Sequence, residues 1–225
     1  MLMVAIDGAC RRNGQPDCTA SGGAFYIGSH EPGENYCGVL TAYEYGSTNQ
    51  RGELLALLKA LDFIIHNDDE DNYIVTDSEY IFHAMTKGWY DNWFHKGWTS
   101  ATGEPIKNMD IWHEIKMLVD KCHRQELELS VFHIKGHCIP FGRVTASNLL
   151  VKDPTGRALW NEVSNKFEKH RVDKAEVFKA AQELSERNNG YRLPDNVFKR
   201  FVVINTVADA VATRVVDVAD SSRKR

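Results

Sequence analysis

No apolar run in this 225-residue sequence approaches the roughly 18 residues that a membrane-spanning helix needs. Met1 to Ile6 is too short for the apolar core of a secretory signal and runs straight into Asp7, so no leader is expected. Cysteine is scarce. Cys10, Cys18, Cys37, Cys122 and Cys138 form no CxxC pair, and their odd number and spacing argue against a zinc site. Free thiols in a reducing, cytoplasmic setting are expected instead. Positive charge is not in excess: 27 Lys and Arg face 31 Asp and Glu, for a net charge of −4. Any nucleic-acid binding must therefore rest on local patches. There is no internal repeat and no low-complexity tract. What the chain does have is 43% hydrophobic residues, enough for a sizeable core, at a length that suits one domain or one domain with an insertion.

Val4-Ala5-Ile6 reads as a buried strand that ends in Asp7-Gly8, with a loop over residues 8–21. Asp7 then lies on the strand or in the following turn, where Asp-Gly is common. Residues 22–27 and 36–45 read as meander strands around turn residues 30–35. Ser47-Thr48-Asn49 offers N-caps for a helix whose face carries Leu54, Leu57, Leu61 and Ile64. Residues 73–76 form a short strand that ends at Asp77, and Ser78 is placed to cap the next helix. Residues 87–102 read as a tryptophan-rich loop or small helix, 110–123 as an amphipathic helix, and 127–134 as a strand. Helical spacing covers 157–187, with a break near 170–173. Asn188-Asn189-Gly190 ends that stretch, and Pro194 is expected to delay any resumption. A final helix is expected over about 205–219, then a frayed tail. The order implies an α/β protein with a mixed sheet covered by helices.

Four acids stand where burial patterns would not put them. Glu53 lies on the helix face that carries Leu57 and Leu61, and Asp209 shares a face with Asn205 and Ala212. Asp7 and Asp77 each end an apolar strand. Converging carboxylates cannot all stay ionised without compensation. Oxygen-only ligation points to Mg2+, or Mn2+. Two such ions ~4 Å apart would clamp the attacking and leaving oxygens of a phosphoryl transfer.

These residues are identifiable as a pattern: Asp7-Gly8-Ala9-Cys10 with Asn13; Thr48-Asn49-Gln50-Arg51-Gly52-Glu53-Leu54; Thr76-Asp77-Ser78-Glu79-Tyr80; Lys135-Gly136-His137; and Asn205 four before Asp209. With Trp89, Trp93, Trp98 and Trp112, they resemble type 1 ribonuclease H, the endonuclease that cuts the RNA strand of RNA–DNA hybrids. The likeness covers residues 4–137 and about 205–212. It implies a ribonuclease H-like fold, in which a mixed five-stranded sheet (an antiparallel three-strand meander plus parallel strands) is flanked by helices. It implies Asp7, Glu53, Asp77 and Asp209 as metal-binding carboxylates and His137 as a mobile histidine assisting proton transfer or product release. It implies Cys10, Asn13, Asn49 and Gln50 as contacts to the RNA strand, where the 2′-OH distinguishes RNA from DNA. Thr48 and Asn108 resemble a pocket for a DNA-strand phosphate, and Asn205 joins the substrate contacts. Trp89, Trp93 and Trp98, with Lys96, resemble a substrate-binding protrusion, with Trp89 and Trp112 read also as structural. Two-metal hydrolysis leaving 5′-phosphate and 3′-hydroxyl ends is implied, by a monomer that needs no membrane. A non-cutting binder of the same fold would have no need to crowd acids near phosphate. The TNQRGE, TDS and KGH motifs together do not fit an exonuclease or transposase relative.

Three departures stand out. The protrusion is poorly basic, with Lys87 and Lys96 beside Asp91, which implies weaker hybrid binding there. Glu79 stands where relatives often have Gln. The largest departure is residues 138–204, a short loop in the family but here a helical insertion into a ribonuclease H domain of 1–137 and 205–220, with 221–225 as tail. This stretch holds 12 Lys/Arg against 8 Asp/Glu, a net of +4, while the remainder holds 15 against 23, a net of −8. Lys166, Lys169, Arg171 and Lys174 are expected either to replace the missing protrusion charge or to form a solvated face. A protein partner bound through the insertion's apolar stripe is a further alternative.

Overall fold

The computed structural model describes residues 1–31, 34–67 and 69–223. A five-stranded sheet forms the centre, in the order β3-β2-β1-β4-β5. Strands β1 (Leu2–Arg11), β2 (Thr19–Glu31) and β3 (Glu34–Tyr45) make an antiparallel meander, and β4 (Asp71–Thr76) and β5 (Glu128–His133) run parallel to β1. The pleat of β1 divides its side chains between two cores. Leu2, Val4 and Ile6 face helices α1 (Asn49–Ile65) and α4 (Met109–Arg124), while Met3 and Ala5 face the helices of the opposite layer. Helices α2 (Glu79–Thr86) and α3 (Trp89–His95) lie between β4 and α4 in the chain. Thr48 and Ser78 cap α1 and α2 as their sequence positions imply.

Both layers come unusually close to β2. A Cβ on Gly22 would meet the backbone of Gly52 and Ala56 in α1. One on Gly23 would meet Ala208 and Ala212 of α8 (Asp195–Arg223). Side-chain-free positions on adjacent residues, facing opposite ways, let two helices seat directly on the strand.

Several boundaries differ from the sequence reading. Gly8 is not in a loop: β1 continues to Arg11, and Gly8 pairs with Gly22 in the ladder. A helix α5 (Arg143–Lys152) appears where no periodic stripe exists, since only Ala146 and Leu150 on it are buried. The 157–187 stretch is two helices, α6 (Arg157–Asp173) and α7 (Ala175–Asn189), broken at Lys174 and closed by left-handed Gly190. Pro194 does not delay the chain. Its carbonyl accepts from Val197 and Phe198, and a proline at a helix start sacrifices no hydrogen bond. Helix α8 thus begins ten residues before Asn205 and runs on to Arg223, whose guanidinium donates to the Asp17 carbonyl. The 30–35 turn and the 221–225 tail fall partly outside the described residues.

Leu159, Val163, Phe167, Phe178 and Ala181 of α6 and α7 are buried in one core with Phe201, Ile204 and Val207 of α8 and with Phe25 of β2. No helix among the described residues is long and apolar enough to cross a membrane.

Candidate active site

Alternation along β1 turns Asp7 toward α8, on the side of Met3 and Ala5. Asp7 is only 8% exposed. Its Oδ1 accepts from the Gly8 amide at 2.6 Å, while its buried Oδ2 has no hydrogen-bond partner. Burial, then the charges of Asp77, Asp209 and Glu53, push the Asp7 carboxyl well above its ordinary value, against the Gly8 amide.

Glu53 approaches from the opposite layer. A Cβ on Gly8 would strike the Glu53 backbone, so glycine lets the start of α1 press against β1. Asn49 donates to Glu53 Oε1 at 3.1 Å and the Ser78 hydroxyl to Oε2 at 2.5 Å. Burial still raises the Glu53 carboxyl, helped by Asp77.

Asp77 follows β4. Burial raises it most; His137 and the Asn205 amide pull it down, and Asp209 pushes it up. The Gly136 backbone lies so close to Asp77 Oδ2 that a side chain at 136 would overlap the carboxylate. Asp209, one turn beyond Asn205 on α8, is raised by burial and lowered by His137 and Arg143. His137 Nδ1 lies 3.8 Å from Asp209 Oδ2 on an exposed side chain, at a left-handed backbone position (φ 56°) unusual for a residue other than glycine.

The four acids thus face one another closely enough to disturb each other's protonation. Among the described residues, no three His, Cys, Asp or Glu side chains are gathered tightly enough to cage a metal ion as they stand. The donor set nevertheless suits a hard cation. It is all carboxylate oxygen, its members repel one another, and Asp7 keeps a buried oxygen without any partner.

The substrate-contact expectations fare unevenly. Asn13 reaches the start of α1, where its Oδ1 accepts from the Asn49 amide at 3.3 Å, and Gln50 stays partly exposed beside them. Thr48 and Asn108 occupy the N-caps of α1 and α4, elements joined by the Arg51–Asp110 ion pair. The free-thiol expectation is corrected for Cys10 and Cys18, which are bonded to each other, leaving Cys37, Cys122 and Cys138 free. The hairpin explains this, since Cys10 pairs with Ala20 and the turn returns Cys18 alongside it. Asn205 is corrected as well. It is buried and turned toward Asp77 rather than open to a ligand.

Trp98 lies in the core at 8% exposure, because the turn at Gly97 folds the chain back onto α3, with the Trp98 amide donating to the Trp93 carbonyl. Trp112 is fully buried as expected, but Trp89 is exposed at the start of a helix with no buried residue. Trp93 is half-buried against Tyr80 and Trp112, and Lys96 is exposed. Ser78 and Gly136, which hold or border the acids, were not singled out for those roles. The signal for Gly136 was its place between Lys135 and His137.

The RNase H family model matches residues 1–148. The ribonuclease H of Hahella chejuensis is 35% identical over 134 residues, covering 60% of this chain and 80% of its own. That of Thermus thermophilus is 36% identical over 137 residues, covering 60% and 73%. The crystal structure of LC9-RNase H1, a type 1 RNase H with the type 2 active-site motif, aligns at a TM-score of 0.51 and 24% identity, covering 60% of this chain and 63% of that one, a likeness of fold.

Proposed function

The chain belongs to the RNase H family, and from that premise we propose that it cuts the RNA strand of RNA–DNA hybrids at the cluster of Asp7, Glu53, Asp77 and Asp209. The observation that carries this is the buried, unpartnered Oδ2 of Asp7 amid three further acids that raise its pKa. Buried charge of one sign is costly unless a cation or a proton meets it.

Two divalent ions, Mg2+ or Mn2+, supply when bound the acidification of a water and the neutralisation of charge on the attacking and leaving oxygens. The chain's part is to hold and orient. Asp7, Glu53, Asp77 and Asp209 provide the oxygens, with Glu53 fixed by Asn49 and Ser78. His137, beside Asp209 and exposed to solvent, delivers a proton through its ring nitrogen to the departing 3′ oxygen or escorts the product out. Water adds to phosphorus and the bond to the 3′ oxygen breaks, leaving 5′-phosphate and 3′-hydroxyl ends. Asn13, Asn49 and Gln50 meet the RNA strand, Thr48 and Asn108 a DNA phosphate, and Trp93 with Lys96 the flank of the hybrid.

The test is cleavage of a hybrid labelled on its RNA strand, beside single-stranded RNA, duplex RNA and duplex DNA, with Mg2+, with Mn2+ and with EDTA. Only the hybrid should be cut, only with a divalent ion, and an Asp7→Asn variant should lose at least 10²-fold in kcat. A wild-type protein that binds hybrid without cutting it would instead be a pure binding module.

A further inference from the structure

A cleft of about 360 Å³ opens beside Asp209 and His137, between the loop after Gly136, helix α5 and helix α8. Its floor is apolar, with Ile139 and Ala146 buried. Its cations are Arg143, in the first turn of α5, and Arg214, on α8. Two carboxylates also line it. Asp217 is already paired with Arg11, whose Nε donates at 2.7 Å, and Asp209 belongs to the acid cluster. Arg214 is held by the Ser147 hydroxyl at 2.5 Å, which draws its guanidinium to α5, one helical turn along from Arg143. Arg143 makes no hydrogen bond or ion pair among the described residues; it acts on Asp209 through space. Two arginines in a concave site, one anchored and one uncommitted, next to a centre built for phosphodiester chemistry, match an anionic oxygen group.

We propose that Arg143 and Arg214 form a subsite for a backbone phosphate of the strand being cut, adjacent to the scissile one. The inference rests on the hybrid-cleaving reading above and adds to it a contact shared between Arg143, in the stretch between His137 and Asn205, and Arg214, beyond it on α8. It also places the useful charge of that stretch at Arg143. Arg171, by contrast, is tied to Glu168, and Lys166 sits over the Phe141 ring.

The experiment is equilibrium binding of an RNA–DNA hybrid in EDTA across a range of KCl, with steady-state kinetics in Mg2+, for the wild type and for Arg143→Gln, Arg214→Gln, the double variant and Ser147→Ala. Loss of one phosphate contact lowers the slope of log K against log salt by about 0.7–0.9. The double variant should show that drop, with KM raised roughly tenfold for each arginine and kcat near wild type. Arg143 is exposed and unpaired, so its variant folds. Ser147→Ala keeps both charges and releases only the Arg214 anchor, so the slope should hold while KM rises less than in Arg214→Gln, which separates the charge from the packing of α5 on α8. An unchanged slope and KM in the double variant would overturn the subsite, and so would a fall in kcat alone, which would mean the arginines only tune Asp209. A wild type that neither binds nor cuts hybrid would defeat the parent reading instead.

Discussion

Asp7 is buried among three other carboxylates, and both its burial and their charges raise its pKa. Its pKa is raised in the folded state and near 3.8 when unfolded, so the folded protein gives up stability as pH climbs from about 3.8 through the elevated value. Without divalent ions the penalty grows as pH rises above about 3.8. Asp7→Asn removes it, and the variant should melt at a higher temperature than wild type in EDTA at pH 7. Added Mg2+ should raise the wild-type melting temperature and narrow the gap. Calorimetry in the two buffers measures this, and a variant less stable than wild type in EDTA would contradict it. The four acids could be read from the sequence because each violates its local pattern: two end the apolar runs of strands and two sit on apolar helix faces. The Ser78 hydroxyl on Glu53 could not, because a Ser ahead of a helix already has a sufficient explanation as a cap.

At the scale of elements, position depends on where backbone meets backbone. The start of α1 is seated by contacts without side chains: Gly8 against Glu53, Gly52 against Ser21, and Gly22 against Ala56. Gly52→Ala would push α1 off β2 at the residue before Glu53. Overpacking of this kind costs about 1–3 kcal/mol, and kcat should fall more than KM changes, since the displaced group is an acid of the cluster. Denaturant unfolding and hybrid kinetics on the same preparation would check both parts. A second contact fastens α7 to the sheet. Buried His133 takes the Asn188 amide at its ring and offers its carbonyl to Ser185 and Asn189. Burial lowers the His133 pKa below 6.5, so stability is full above 6.5 and is lost as pH falls through the depressed folded value. A His133→Gln variant should show a flatter fall in melting temperature over that acidic range. Helices α1 and α4 were legible because their apolar periods are strong, and α2 because Ser78 announces a cap. Helix α5 was not, having an uncapped glycine start and two buried residues, and the early start of α8 was masked by a proline that reads equally well as a stop or as a first turn.

For the whole molecule, the helices between Gly142 and Gly190 are walls of the main core rather than an appendage. Phe167 is 2% exposed, against Phe178 on α7. Phe167→Ala should cost about 3–5 kcal/mol, and heat should unfold wild type and variant each in a single transition, not in two. A separate early transition in the variant would show that the stretch folds apart from the sheet. The sequence could show that residues 138–204 are helical and basic. It could not show where they dock, because an apolar stripe does not say which face it will cover.

Helix α8 carries Phe198 and Phe201 in its first turns, pressed into that shared core, and Asp209 farther along, with no break in the 29 residues between its ends. From Phe198 to Asp209 is about 16 Å of unjointed rod. A slight tilt forced on its near end, by a repacked phenylalanine or by a protein leaning on α6, is carried to the acid as a lever carries a push. Turnover would register such a load long before the melting curve did.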